Sequence, residues 1–161
     1  MKLNFVEVTY DNLEIAVRIQ NSIFPLEDGR ANYIVFNNNE PIGVVGLYSY
    51  NEYPEDAWLS WFGVLEQYRN KGYGSAIFDF FEKISKEKGY NAIRVYTDDE
   101  FDSAINLYTK KGMIREYYTN ELESDEINNG TIVFSKSLTL EKTKKWNNKF
   151  LQLTAQVEKE K

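Results

Sequence analysis

The chain has 161 residues and a mass of 18.9 kDa, enough for one domain with its own core, and 42% hydrophobic with 27% charged residues is a globular balance. It contains no cysteine and no histidine, which excludes disulfides, thiolate metal sites, a cysteine nucleophile, the Ser-His-Asp triad and imidazole base catalysis. A formal charge of −6 with a pI near 4.8 argues against a nucleic-acid module, which would present a basic face.

Leu3 to Val8 alternates apolar and polar residues and predicts a first strand. Asp11 with Glu14 three positions on reads as a capping-box-like helix start, followed by Ala16, Ile19 and Ile23 at helical spacing. Phe24 to Gly29 breaks that helix into a loop. Tyr33 to Phe36 and Ile42 to Tyr48 predict two strands joined as a hairpin through Asn37-Asn38-Asn39-Glu40-Pro41. A second loop, Tyr50 to Asp56, leads into a largely apolar strand, Trp58 to Leu65.

Residues 72–88 give the clearest helical pattern, with Ile77, Phe80, Phe81 and Ile84 on one face. A strand follows at Ala92 to Thr97, then a short helix capped by Asp102 that carries Ala104, Leu107 and Tyr108 on one side and ends at Gly112. Strands over 113–119 and 131–138 flank an acidic loop, Glu121 to Gly130. Beyond Leu138, Trp146, Phe150, Leu153 and Val157 mark the apolar stripe of an extra C-terminal helix. The expected fold is mixed α/β, a mostly antiparallel central sheet flanked by helices over residues 1–138, with residues 139–161 packed on that domain or on a partner subunit. No apolar stretch reaches the roughly 18 to 20 residues of a membrane span, and Met1 to Phe5 lacks a signal-peptide core. A soluble cytoplasmic protein, monomer or homodimer, without nucleic-acid or membrane partners, is the expectation.

The chemistry concentrates where the apolar strand meets the long helix, in Val64-Leu65-Glu66-Gln67-Tyr68-Arg69-Asn70-Lys71-Gly72-Tyr73-Gly74-Ser75. Amides at a helix start carry partial positive charge, and glycine lets main chain approach a ligand closely, so this junction is a candidate phosphate cradle. The Walker pattern fails because neither glycine precedes Lys-Ser or Lys-Thr, and the dinucleotide fingerprint fails because Ile77 stands where a third small residue belongs. What remains is R-x-x-G-x-G: Arg69, Gly72 and Gly74.

This stretch resembles motif A of the GNAT superfamily of N-acetyltransferases, and Ala104-Ile105-Asn106-Leu107-Tyr108-Thr109-Lys110-Lys111-Gly112-Met113 is similar to that family's A-x-x-L-Y-x-K-x-G-F segment. The resemblance covers about residues 3–138. It implies direct transfer of an acetyl group from acetyl-CoA to a primary amine, with no metal and no enzyme nucleophile. Gly63, Val64, Leu65, Arg69, Asn70, Lys71, Gly72, Tyr73, Gly74 and Ser75 would then bind the cofactor, and a main-chain amide near Gly63 to Leu65 would polarise the thioester carbonyl. Tyr108 would be the general acid. Two departures stand out: Phe101 occupies the position where many members have asparagine, and residues 58–64 carry no carboxylate that could act as base.

Other readings of the same residues stay open. Gly72 and Gly74 could serve only a tight turn, Arg69 and Lys71 could be solvated charges, and Tyr108 could be ordinary core. Trp58 and Trp61 suit sheet packing better than substrate contact. Residues 1–80 carry 5 bases against 11 acids, and the resembling fold turns their loops toward the acceptor. Glu27, Asp28, Glu55 and Asp56 are therefore the candidate rim for a cationic amine, with Glu52 beside them. The alternative function is a non-catalytic acyl-CoA-binding or regulatory module.

Overall fold

The computed structural model describes residues 2–25 and 31–153. They form two compact units, one ending at Tyr90 and the other beginning at Asn91. The first contains β1 (Leu3–Glu7), α1 (Leu13–Ile23), β2 (Tyr33–Asn37), β3 (Glu40–Tyr50), β4 (Tyr53–Val64) and α2 (Tyr73–Glu87). The second contains β5 (Ala92–Asp98), α3 (Asp102–Lys110), β6 (Ile114–Tyr117), α4 (Asp125–Asn128) and β7 (Thr131–Ser137). The architecture is α/β, as expected. Strand order is β1-β2-β3-β4 in the first unit and β5-β7-β6 in the second, and these neighbours pair antiparallel.

In the first unit the pleat of the strands decides which helix covers which face. Phe5 and Tyr33 point to the α2 side, where Phe80 stacks on Phe5 with ring centroids 3.8 Å apart and meets Tyr33 edge-on. Val44 points the other way, into a cluster with Ile19 of α1 and Ala31, against which Ile15, Ile23, Phe24, Trp61 and Leu65 pack. The two helices thus sandwich the four strands. The entry to α1 differs from the Asp11/Glu14 expectation. Thr9 and Asn12 make the start instead: the Thr9 amide donates to Asn12 Oδ1 at 2.8 Å, and a 3-10 turn over Tyr10–Asn12 precedes the helix.

The loop expected from Tyr50 to Asp56 is only the turn Asn51-Glu52, because Tyr50 already pairs with Tyr53. Tyr48 and Tyr50 pack on Trp58, which is fully buried, and this aromatic cluster draws the strands together beyond the expected ends. Close strand approach also explains Gly43. A Cβ there would overlap the carbonyl oxygen of Gly63 on the neighbouring strand. Gly43→Ala is therefore expected to destabilise the protein by about 1–3 kcal/mol, as overpacking of a tight interior does. A urea midpoint equal to the wild type's would refute the close fit.

In the second unit Arg94 is almost completely buried on β5 and is satisfied there. Its Nη1 donates to Ser135 Oγ at 2.6 Å and to the Lys144 carbonyl at 3.0 Å, and the guanidinium lies 5.2 Å from the Trp146 ring centroid. The acidic loop hides a short helix, α4, whose N-cap Ser124 accepts from the Ile127 amide.

The expected C-terminal helix is corrected over residues 139–152, while 154–161 lie outside the described residues. Residues 139–152 are not helical, and Asn147, Asn148 and Gln152 each have φ near +59°, which a right-handed helix cannot accommodate. The segment is held by its neighbours instead of by its own carbonyls. The Asn147 amide donates to Glu116, the Leu151 amide to the Tyr118 hydroxyl, and the Leu153 amide to Glu123, while Asn148 Oδ1 accepts from Thr119. Trp146, Leu151 and Leu153 are buried by this irregular strap and Phe150 is exposed; Val157 lies outside the described residues.

Candidate active site

The end of β4 is distorted where the stretch expected to bind the cofactor begins. Val44 pairs with Gly63 and Gly46 with Ser60, so Trp61 and Phe62 together oppose Val45. This is a β-bulge, and Trp61 takes φ +46°, a rare conformation for a bulky residue and one stored most often at functional sites. Packing holds it there. Phe24 meets the Trp61 ring edge-on at 5.8 Å, and the end of α1 sits so close to Gly63 that a Cβ there would lie 2.5 Å from Ile23 Cγ2. Of the amides expected near the thioester, that of Leu65 is committed to the Ile42 carbonyl at 2.8 Å. Gly63 and Val64 follow the bulge directly and pair with Val44 and Gly43.

The chain then makes a 3-10 turn over Glu66–Tyr68, closed by the Tyr68 amide on the Leu65 carbonyl at 2.9 Å. The Arg69 side chain folds back on this turn, its Nε donating to the Val64 carbonyl at 3.1 Å. Asn70 at φ +62° and Gly72 at φ +83° reverse the chain twice within three residues and deliver it to α2. Gly72 is the N-cap residue and offers no side chain, so the amides opening α2 have no side-chain cap. Ala76 is the first to bond within the helix, to the Gly72 carbonyl at 3.4 Å. Beside Gly74 the space is open: an added Cβ would meet only Phe62 Cζ, at 3.8 Å. A pyrophosphate fits such a helix start, where aligned amides and the helix dipole favour negative charge.

Three side chains missed by sequence reasoning fasten this loop. Asn37 Nδ2 donates to the Tyr73 hydroxyl at 2.9 Å. Glu40 lines the same cavity as Tyr68 and, as a hydrogen-bonding carboxylate beside it, is the main reason the phenol is raised above its usual pKa, with desolvation adding to it. Lys71 Nζ lies 5.8 Å from the Tyr68 ring centroid. A cavity of about 430 Å³ opens beside them, floored by Ile19, Pro41 and Leu65 and edged by Arg18, Glu40 and Tyr68. Asn37 and Glu40 had read only as hairpin residues; nothing in a sequence tells that a turn will touch a loop some 30 positions away.

Tyr108 lies in the second unit, on α3, where its ring centroid is 5.3 Å from that of Phe134. It is 5% exposed, and burial pushes its phenol well above the ordinary tyrosine value. Phe101 precedes α3 and is 61% exposed. Of the acidic rim, Glu55 is exposed, but Asp56 lies within β4 at 5% exposure, since the strand begins at Tyr53 rather than after the expected loop. Glu27 and Asp28 lie outside the described residues. Among the described residues no group of three or more acidic side chains is arranged to hold a metal ion, and no helix is long and apolar enough to cross a membrane.

The chain is similar in structure to acetyltransferases. The ribosomal-protein-S18-alanine N-acetyltransferase of Escherichia coli superposes with a TM-score of 0.66 at 13% identity, over 88% of this chain and 97% of that one. The Bacillus subtilis acetyltransferase in complex with CoA gives 0.64 at 18% identity, over 86% and 99%. The IAA acetyltransferase of Bacillus cereus ATCC 14579 gives 0.64 at 18% identity, over 85% and 100%. At these identities the likeness shows the fold. No curated protein sequence matches. The acetyltransferase (GNAT) family model matches residues 6–113, from β1 through the whole of α3, and so takes in both the R-x-x-G-x-G loop and the Leu107-Tyr108 helix. The chain belongs to the GNAT acetyltransferase family.

Proposed function

We propose that this GNAT protein moves an acetyl group from acetyl-CoA directly onto a primary amine within a ternary complex, the acceptor being a cationic small molecule or peptide. One observation supports this above the others: α2 opens with uncapped amides, presented by a loop whose two left-handed residues fall inside the R-x-x-G-x-G frame. In this reading the amides of Tyr73, Gly74 and Ser75 hold the pyrophosphate, with Asn70 and Gly72 shaping the turn and Arg69 and Lys71 adding positive charge. Acetyl-CoA supplies the activated acetyl group and a thiolate leaving group. Main chain at Gly63 and Val64, beside Leu65, would polarise the thioester carbonyl. Tyr108 protonates the departing sulfur, and its raised pKa keeps the donor proton in place at neutral pH. An alkylamine with a pKa near 10 must arrive neutral, so a proton has to leave it before attack.

The acceptor side is read from charge. All the net negative charge lies in residues 1–80, which include Glu27 and Asp28; Glu55 is exposed, whereas Asp56 is too buried for an exposed rim. Such a field draws in a cation. The expected result in an amine panel is a preference for polyamine-like or basic-peptide acceptors, with a KM that rises with salt because exposed attraction is screened within about 8 Å at physiological ionic strength. An acidic amino acid as best acceptor, with a KM indifferent to salt, would overturn it.

A second reading is an acyl-CoA-binding module without chemistry. It draws on the burial of Tyr108 against Phe134, which suits a core residue. Amine-dependent release of CoA thiol separates the two.

A further inference from the structure

The anion loop is tied on both sides to one hairpin turn. Tyr68 stands before the reversing stretch Arg69–Gly72 and Tyr73 directly after it, and each ring ends on a residue of the β2–β3 hairpin. Glu40 and Tyr68 line one cavity, where Glu40 raises the Tyr68 phenol, and Tyr73 accepts from Asn37 Nδ2 at 2.9 Å. The two rings also meet edge-on, 6.4 Å apart, and Lys71 lies over the Tyr68 face. The anchor itself is stiff. Asn37 pairs with Glu40 across a two-residue turn, and Asn38 takes the left-handed conformation (φ +57°) that such a turn requires. Four residues containing two left-handed positions are thus bracketed by two fastenings on a rigid support. A loop ordered in advance spares the ligand the entropy of ordering it.

We propose that Asn37 and Glu40 are positioning residues for the cofactor cradle, holding Tyr73 and Tyr68 so that the loop 69–74 is set before CoA binds. This rests on the cofactor site proposed above. Glu40 makes the idea testable by sign. A carboxylate that only stood near a phosphate site would repel the ligand, and its removal would tighten binding. A carboxylate that holds Tyr68 weakens binding when lost.

The experiment is calorimetric titration of CoA into folded Asn37→Ala, Glu40→Ala, Tyr73→Phe and Asn37→Ala/Tyr73→Phe proteins, with acetyl-transfer kinetics beside it. Each single change is expected to raise the CoA Kd about fivefold, the worth of one net hydrogen bond. The double variant should be no weaker than Asn37→Ala alone, because both changes cut one link. KM for acetyl-CoA should rise with the Kd while kcat at saturation holds. Wild-type Kd in Asn37→Ala and Glu40→Ala, tighter binding in Glu40→Ala, or additive losses in the double variant would overturn the proposal. If CoA binding is lost in Gly74→Val yet unchanged in the hairpin variants, the hairpin role fails and the cradle stands. If the wild type does not bind CoA, both fall together.

Discussion

Replacing Tyr108 by phenylalanine is expected to lower kcat by about 100- to 10,000-fold, the usual worth of a general acid, while acetyl-CoA affinity stays near the wild-type value. The change removes one oxygen and leaves the ring against Phe134. Proton transfer from an ordinary phenol near 10 to a thiolate near 8.5 is uphill by about 2 kcal/mol. Burial raises the phenol further, which makes complete ionisation of Tyr108 costlier still. The donor must therefore act as a hydrogen bond to sulfur while charge is developing, and the rate should show no loss assignable to Tyr108 until pH exceeds the ordinary tyrosine range. The same burial gives a readout free of any activity. A phenol with a raised folded-state pKa contributes stability that is intact below about pH 10. As pH rises further the unfolded chain ionises first, and that contribution falls away. Urea midpoints between pH 8 and 11 should decline less steeply in Tyr108→Phe than in the wild type. Wild-type turnover by the variant, with the flatter alkaline profile, would assign Tyr108 to the core.

Gly74→Val is expected to weaken CoA binding by about 100-fold or more while the protein stays folded. Losing two hydrogen bonds to a charged ligand accounts for that scale. The fold should tolerate the change, since the position beside Gly74 is open except for the Phe62 ring tip at 3.8 Å, and valine is a better helix former than the glycine it replaces. What the branched side chain obstructs is the close approach of a pyrophosphate to the first amides of α2. Calorimetry on a variant with wild-type circular dichroism decides the matter: unchanged affinity would place the pyrophosphate elsewhere.

How much of this was legible in the sequence varies with the range of the interaction. The strands and both long helices were readable because their periodicity is local, and the loop from Arg69 to Gly74 could be singled out because an anion cradle needs glycine at fixed positions. The bulge at Trp61 was not readable. Nothing about a tryptophan suggests positive φ, and the ring packs against Phe24, which follows α1. Asp56 read as loop because Pro54 and two acids precede it, yet the Tyr48, Tyr50 and Trp58 cluster extends the strand over it. The C-terminal stripe misled in the opposite way. Trp146 and Leu153 do bury while Phe150 stays exposed, and Asn147 and Asn148 turn left-handed where they pair with Glu116 and Thr119. Asn37 and Glu40 carry no motif at all; their partners become visible only once the hairpin and the loop are folded beside each other.

The most direct test of direct acetyl transfer is to incubate the protein with acetyl-CoA and a panel of amines and to quantify free CoA thiol against acetylated amine. Thiol release that depends on a cationic amine, matches the acetylated product one for one and disappears in Tyr108→Phe is the predicted result. Firm CoA binding with no amine-dependent thiol release from any member of the panel would contradict it.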